Sequence, residues 1–370
     1  MGEPDKAQAK IAVLALTEGG KKLAVKLAKE MNSVEIYLAE RLKDDNEDYN
    51  YYSSLKDLTA ELFKSYDGLI FIMALGIVIR IIAPLLQSKK SDPAVLTIDE
   101  TGKNVISTLS GHLGGANKLS LEIAQKLKAN PVITTATDCN NLEAVDLLAK
   151  RIGCAIEPFK RLKYANAALV NGEKLNIFTD YEIEIEKNEQ IDIHPLQMRE
   201  KMKLKNEQKT NNYSFAESNF NVIISNKKIE LKQNELQLIP KNIVIGIGCK
   251  KNMPEARIAE AVDYLRQELK LNKKSIKKIA TIDLKKEEKG ILAYAEKNNL
   301  ELEIVNRSRI KEIEADLNIK KSNFVKKITG IAAAAAPAAI LSSGKGNLIM
   351  DKRKFSGITL AVFEEELGNA

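Results

Sequence analysis

His112, one of two histidines in the chain, lies in Ser110-Gly111-His112-Leu113-Gly114-Gly115-Ala116-Asn117, between an apolar run, Val105 to Leu109, and a helical pattern ending near Leu127. That order implies a strand, a glycine turn and a helix start. Free backbone N–H groups and the helix dipole at such a junction suit a carboxylate or a developing oxyanion. A histidine there has no apolar face to fill and titrates near neutral pH. The local acids are Asp99 and Glu100, on the turn ahead of the Val105 strand. A His112 base oriented by one of these carboxylates, with the N–H groups of Gly111 to Gly115 nearby, is equipped to attack an ester carbonyl. The competing reading is a helix-start turn whose glycines serve close packing, with Ser110 as the cap and Asn117 either a ligand contact or a helix-face amide.

A second glycine turn follows the run Ile243 to Ile247, at Gly246-Ile247-Gly248-Cys249. It resembles half of a dinucleotide fingerprint, but Asn252 or Met253 stands where the third glycine belongs, and no G-x-x-x-x-G-K-[ST] loop occurs. Nucleotide hydrolysis thus lacks its best marker. Cys249 beside Lys250 and Lys251 has the neighbours of a lowered pKa, although an isolated cysteine after a strand is more often a packing residue.

These turns need a scaffold, and the chain supplies one in alternating pieces. Ile11 to Leu16 precedes Thr17-Glu18-Gly19-Gly20 and a helical stripe; Leu69 to Ala74 precedes a helix from Gly76; Ala94 to Ile98, Val105 to Leu109 and Val132 to Thr135 continue the series. Such alternation predicts an α/β fold with a doubly wound, mainly parallel N-terminal sheet. In such sheets ligands bind beyond the carboxyl ends of the strands, where the Gly19-Gly20, Gly76 and Gly111 to Gly115 turns are expected to gather. From about Lys160 to Lys241 short β-prone pieces lie among polar residues, which predicts a small α+β middle domain with His194 on a surface loop. Asn242 opens an α/β C-terminal domain in which the alanine run Ala332 to Ala336 packs closely on a sheet. The expected boundaries are 1–140, 141–241 and 242–370.

Composition narrows the function classes. The 370 residues are 44% hydrophobic and 29% charged, which suits two or three globular domains. The longest apolar run, Leu69 to Leu86, is interrupted by Gly76, Arg80 and Pro84, so no membrane span is expected, and the cytoplasm is the expected compartment. Cys139, Cys154 and Cys249 have neither a paired framework nor metal-ligand spacing, and no protein-held metal is expected. The net charge of +7 is spread through amphipathic helices without an arginine-rich arm or aromatic ladder, so a polyanionic small molecule is as good a partner as nucleic acid on charge alone; the expectation drawn from the whole sequence is a small-molecule substrate and no nucleic acid.

Several segments together resemble one family. Gly76-Ile77-Val78-Ile79-Arg80, Ile82-Ala83-Pro84-Leu85-Leu86, Asp92-Pro93-Ala94-Val95, Asp99-Glu100 and Ser110 to Asn117 are similar to the CbiG family of anaerobic cobalamin biosynthesis. Gly246 to Lys251, Ile282 to Glu287, and Lys352-Arg353-Lys354 ahead of Gly357 to Leu360 resemble that family's C-terminal domain, which is itself similar to the CobE proteins. The resemblance implies a cobalt-precorrin-5A hydrolase that opens a δ-lactone on the contracted macrocycle and releases acetaldehyde. The implied cobalt is carried by the corrinoid substrate, with no separate cofactor, and transient contact with neighbouring corrin pathway enzymes is implied too. On these motifs, His112 and Glu100 are the expected catalytic pair. Arg80 and Lys250 are expected on substrate carboxylates, Asp283 is a polar contact, and Ser110, Gly111, Gly114, Gly115, Asn117, Gly246 and Gly248 line the substrate. A carrier that binds the intermediate without hydrolysing it would use the same turns. Where the family commonly has a glutamate before the proline or alanine, this chain has Ala336.

Overall fold

The computed structural model describes residues 9–31, 34–44, 48–185, 188–201, 220–313, 319, 322, 326–327 and 329–368. The chain divides into two compact units, Met1–Leu147 and Leu148–Ala370.

The first unit contains β1 (Ile11–Ala15), α1 (Glu18–Glu30), β2 (Val34–Ala39), β3 (Asn50–Tyr52), α2 (Leu55–Ser65), β4 (Gly68–Ile72), α3 (Leu75–Ile82), β5 (Ala94–Ile98), β6 (Asn104–Leu109), α4 (Ala116–Leu127), β7 (Asn130–Val132), α5 (Ala136–Cys139) and the start of α6 (Val145–Arg151). Its sheet runs β3-β2-β1-β4-β5-β6-β7. β1, β4 and β5 are buried at every residue, as continuous apolar strands covered on both faces must be. α1 and α4 cover one face through Ala24, Leu27, Ala116 and Ile123. α2 and α3 cover the other through Leu62, Phe63, Val78 and Ile82. The mixed α/β, doubly wound arrangement expected from sequence is therefore the one observed.

One strand departs from that expectation and relocates the histidine turn. β6 pairs with β5 antiparallel, Val95 opposite Leu109 and Ile98 opposite Val105. The cause is the short connection from Asp99 to Lys103, too short for the crossover that a parallel pair requires. Asp99 accepts from the amides of Thr101, Lys103 and Asn104, and Gly102 takes a left-handed conformation at φ +70°. Burial opposes the Asp99 charge, but the Thr101 hydroxyl and the amides of Asn104 and Lys103 outweigh it and bring the carboxyl down to about 2. The Gly111 to Gly115 turn therefore emerges at the amino ends of β1, β4 and β5, opposite the Gly19-Gly20 and Gly76 turns it was expected to join. β7 is parallel to β6, so the chain leaving β7 returns to the histidine turn.

In the second unit, β8 (Cys154–Glu157), α7 (Leu162–Val170), β9 (Leu175–Thr179), β10 (Ile191–Pro195), β11 (Phe220–Ile224) and β12 (Glu235–Pro240) make a sheet ordered β10-β9-β11-β12-β8. Only β8 is antiparallel to its neighbour. His194 lies on the edge strand β10, stacked on Phe178 at 5.4 Å, rather than on a loop. The following Pro195 suits an edge, where no ladder donor is needed. Residues 202–219 of the polar stretch fall outside the described residues.

The third sheet is built from β13 (Ile243–Cys249), α8 (Glu255–Glu268), β14 (Ile276–Ile282), α9 (Lys289–Lys297), β15 (Glu301–Val305), α10 (Arg307–Ile313), α11 (Ala335–Leu341), β16 (Gly346–Phe355) and β17 (Ile358–Glu365), in the order β15-β14-β13-β17-β16. The second and third sheets meet through a polar seam. Tyr181 Oη and Asn226 Nδ2 donate to Glu364 Oε1 at 2.8 and 2.7 Å, and Asn242 Nδ2 donates to the Glu365 carbonyl at 2.9 Å.

Alanine-rich α11 lies on β13 and β17, as its composition suggested. A side chain at Gly246 would collide with the Ala335 carbonyl. Gly246→Val is accordingly expected to destabilise the second unit by about 1–3 kcal/mol through overpacking, measured as a lower urea midpoint; an unchanged midpoint would contradict this packing role.

Candidate active site

Ser110 ends β6 in a left-handed conformation, φ +58°, and its hydroxyl donates to the Asp92 carbonyl at 3.0 Å. That bond ties the turn to the amino end of β5. The turn then closes on itself, with Gly115 N donating to His112 O, Ala116 N to Ser110 O and Asn117 N to Gly111 O. Gly115, at φ +89°, is the residue that caps α4, so Ser110 is not the cap expected from sequence. A Cβ on Gly111 would stand 2.6 Å from Asn117 Oδ1, so this glycine lets the turn wrap the asparagine.

Asn117 is buried and organises the floor of the site. Its Oδ1 accepts from Ser107 Oγ at 2.6 Å, and its Nδ2 donates to Thr135 Oγ1 at 3.1 Å and to Asp138 Oδ2 at 3.0 Å. His112 joins the same network. Its Nε2 lies 2.8 Å from Asp138 Oδ2 and 3.1 Å from Thr137 Oγ1, and its Nδ1 lies 3.1 Å from Asp146 Oδ2. The imidazole is thus clasped by a carboxylate on each nitrogen. The His112, Asp146 and Asp138 side chains are 11%, 8% and 28% exposed.

The charge state follows from this geometry. An ionised carboxylate only accepts hydrogen bonds, so both ring nitrogens must carry protons to satisfy both partners. The Asp146 hydrogen bond raises the His112 pKa; burial works against it, and the Asp138 hydrogen bond adds to the rise. These contacts favour the imidazolium, with both N–H groups engaged, over the free base anticipated from sequence.

Glu100 is not the group that orients it. Glu100 follows the carboxyl end of β5 and packs against Gly19 at the start of α1. The five residues of β5, at about 3.3 Å each, separate that edge from the histidine turn by roughly 15 Å. Asp138 and Asp146 take its place. The oxyanion role expected of Gly115 also changes, because its amide donates inside the turn. Arg80 lies exposed on the last turn of α3, outside the His112 network.

The C-terminal candidates have other duties. Gly246 is buried beneath α11, where no ligand reaches it, whereas Gly248 is only half-buried. Asp283 binds Arg307, Nε to Oδ1 at 2.6 Å, and Arg307 also donates to the Thr329 carbonyl. Arg307 is thus the cation of this edge that sequence reasoning missed. Burial pushes the Cys249 thiol up to about 11, which argues against a nucleophile. Lys250 is exposed, and its amide donates to the Gly357 carbonyl at 2.8 Å. The turn holding Gly357 and the outer face of α8 border an open groove of about 380 Å³ lined by Arg257, Glu260, Tyr264, Arg353, Lys354 and Phe355. Its guanidinium groups are engaged within the chain, Arg257 with Glu260 at 2.7 Å and Arg353 with Glu268 at 3.1 Å. Among the described residues, no His, Cys, Asp and Glu cluster is arranged to hold a metal, and no helix is long and apolar enough to cross a membrane.

The imidazolium clasp ties stability to pH. With the folded pKa raised above 6.5, its contribution is complete below that value and is lost as pH climbs through the folded pKa. The melting-temperature gap between the parent and His112→Gln is therefore expected to be widest below about pH 6.5 and to narrow at higher pH. A gap that widens with pH would contradict the clasp.

Comparison with known proteins matches three family models in chain order: Cobalamin synthesis G N-terminal over residues 57–138, Cobalamin biosynthesis central region over 143–240, and Cobalamin synthesis G C-terminus over 243–363. A Priestia megaterium protein named cobalt-precorrin-5A hydrolase is 34% identical over 360 residues, covering 95% of this chain and 94% of its own. A Salmonella typhimurium protein of the same name is 32% identical over 353 residues, covering 95% and 97%. Among solved structures, a cobalamin biosynthesis protein G homologue from Sulfolobus solfataricus covers 96% of this chain and 97% of its own, at 23% identity and a TM-score of 0.37. CobE, from the cobalamin biosynthetic pathway, covers 33% of this chain and 89% of its own, at 20% identity and a TM-score of 0.31. With all three regions present in order and relatives matched nearly end to end, the chain belongs to the cobalamin synthesis G (CbiG) family.

Proposed function

We infer that this protein is a cobalt-precorrin-5A hydrolase of cobalamin biosynthesis. The observation that carries the inference is end-to-end similarity, at 32–34% identity, to two proteins bearing that name. A hydrolase of this kind takes a large, flat substrate rich in carboxylates, with cobalt as part of the substrate, and water as the second reactant.

The chemistry we propose has two balanced steps. Water adds to the carbonyl of a δ-lactone on the contracted macrocycle and the ring C–O bond breaks, giving a carboxylate, a released proton and a secondary alcohol. The carbinol carbon and its methyl group then leave as acetaldehyde. The electron pair of the broken C–C bond stays on the macrocycle, which takes up a proton. No oxidant or reductant is needed. The histidine turn supports this reading because it sets a carboxylate, an imidazolium and a buried amide side by side at the end of β6, the inventory for proton transfer at an ester.

Incubation of the purified protein with cobalt-precorrin-5A tests the proposal. The expected result is one acetaldehyde per turnover, and a corrinoid product that has gained one water and lost one acetaldehyde. Recovery of bound but unchanged substrate would instead mark the protein as a carrier.

A further inference from the structure

We propose that Asp138 is the general base of the hydrolysis, and that His112 and Asp146 are residues that position it. The assignment rests on the hydrolase reading above and adds the identity of the group that touches the reacting water.

Exposure and hydrogen bonding separate the three side chains. His112 and Asp146 are 11% and 8% exposed, whereas Asp138 is 28% exposed, so water and an incoming ester reach the trio at Asp138. Its Oδ2 already accepts from His112 Nε2 and Asn117 Nδ2 at 2.8 and 3.0 Å. These two donors fix the plane of the carboxylate and leave Oδ1 as the atom to receive a proton. His112 is not placed for that part. A carboxylate oxygen stands at each of its ring nitrogens, so neither faces an incoming water.

The order of the network matches the task. Asp146 engages Nδ1 and sets the ring orientation; the ring sets Asp138; Ser107 and Thr135 hold Asn117, which sets Asp138 from a second side. In the forward step the water oxygen bonds to the lactone carbonyl carbon while its proton passes to Asp138 Oδ1. As the ring C–O bond breaks, Asp138 returns that proton to the departing oxygen and is regenerated as a carboxylate.

The test is kcat and KM for acetaldehyde release in the parent, Asp138→Asn, His112→Gln, Asp146→Asn, Asp146→Glu and Asp138→Ala with added formate. Asp138→Asn is expected to lose about 10²–10⁴-fold in kcat with little change in KM. His112→Gln and Asp146→Asn are expected to keep measurable turnover, lowered in kcat far less than in Asp138→Asn, and Asp146→Glu should restore part of what Asp146→Asn loses. Formate should recover turnover in Asp138→Ala. Should Asp138→Asn fail to fold, formate recovery of Asp138→Ala decides by itself. An active parent with full activity in Asp138→Asn, or no recovery of Asp138→Ala by formate, overturns the base assignment while leaving the hydrolase reading intact. A parent that leaves cobalt-precorrin-5A unchanged overturns both.

Discussion

An imidazole facing a carboxylate at each nitrogen satisfies both only as a cation, and much of the first unit is arranged around that requirement. The Gly111 to Gly115 turn, the buried Asn117 and the segment after β7 converge on one ring. A buried cation without such partners would be costly, and removal of either aspartate takes a hydrogen-bond acceptor from the ring. The clasp joins residues that lie 26 and 34 positions apart in the chain, so it also fixes how α5 and α6 return to the sheet.

The reversal of β6 makes this meeting possible. In a wholly parallel sheet the histidine turn would share an edge with the helix starts of α1 and α3. The tight Asp99 to Lys103 connection instead sends β6 back along β5, and β7 follows β6. The sheet consequently presents glycine turns at both edges. Acids stand at both edges, Asp99 and Glu100 at one and Asp138 and Asp146 at the other, and the latter pair contacts the histidine.

How far sequence carries can be seen residue by residue. Strands buried on both faces are continuous apolar runs, so β1, β4, β5 and β13 were legible from composition alone, as was the close packing of the alanine run. The direction of β6 was not, because an apolar run has no polarity; the informative signal was the five-residue Asp99 to Lys103 link. Had that link been read as a hairpin turn, the chain after β7, with Thr135, Thr137 and Asp138, would have been the place to look for partners of His112. Gly246 was misassigned for a different reason. A glycine that admits a helix backbone and a glycine that admits a ligand look identical in sequence, and only the Ala335 carbonyl distinguishes them.

The seam beneath the last two sheets limits how this chain can be recombined. Tyr181 and Asn226 come from the central region and Glu364 from the final strand, and they share a single carboxylate oxygen. A chimera that exchanged the central region for a foreign one would need to import donors at both positions, or strand that oxygen against an apolar neighbour. The central and final sheets are in this sense one heritable cassette, although a family description can be drawn for each.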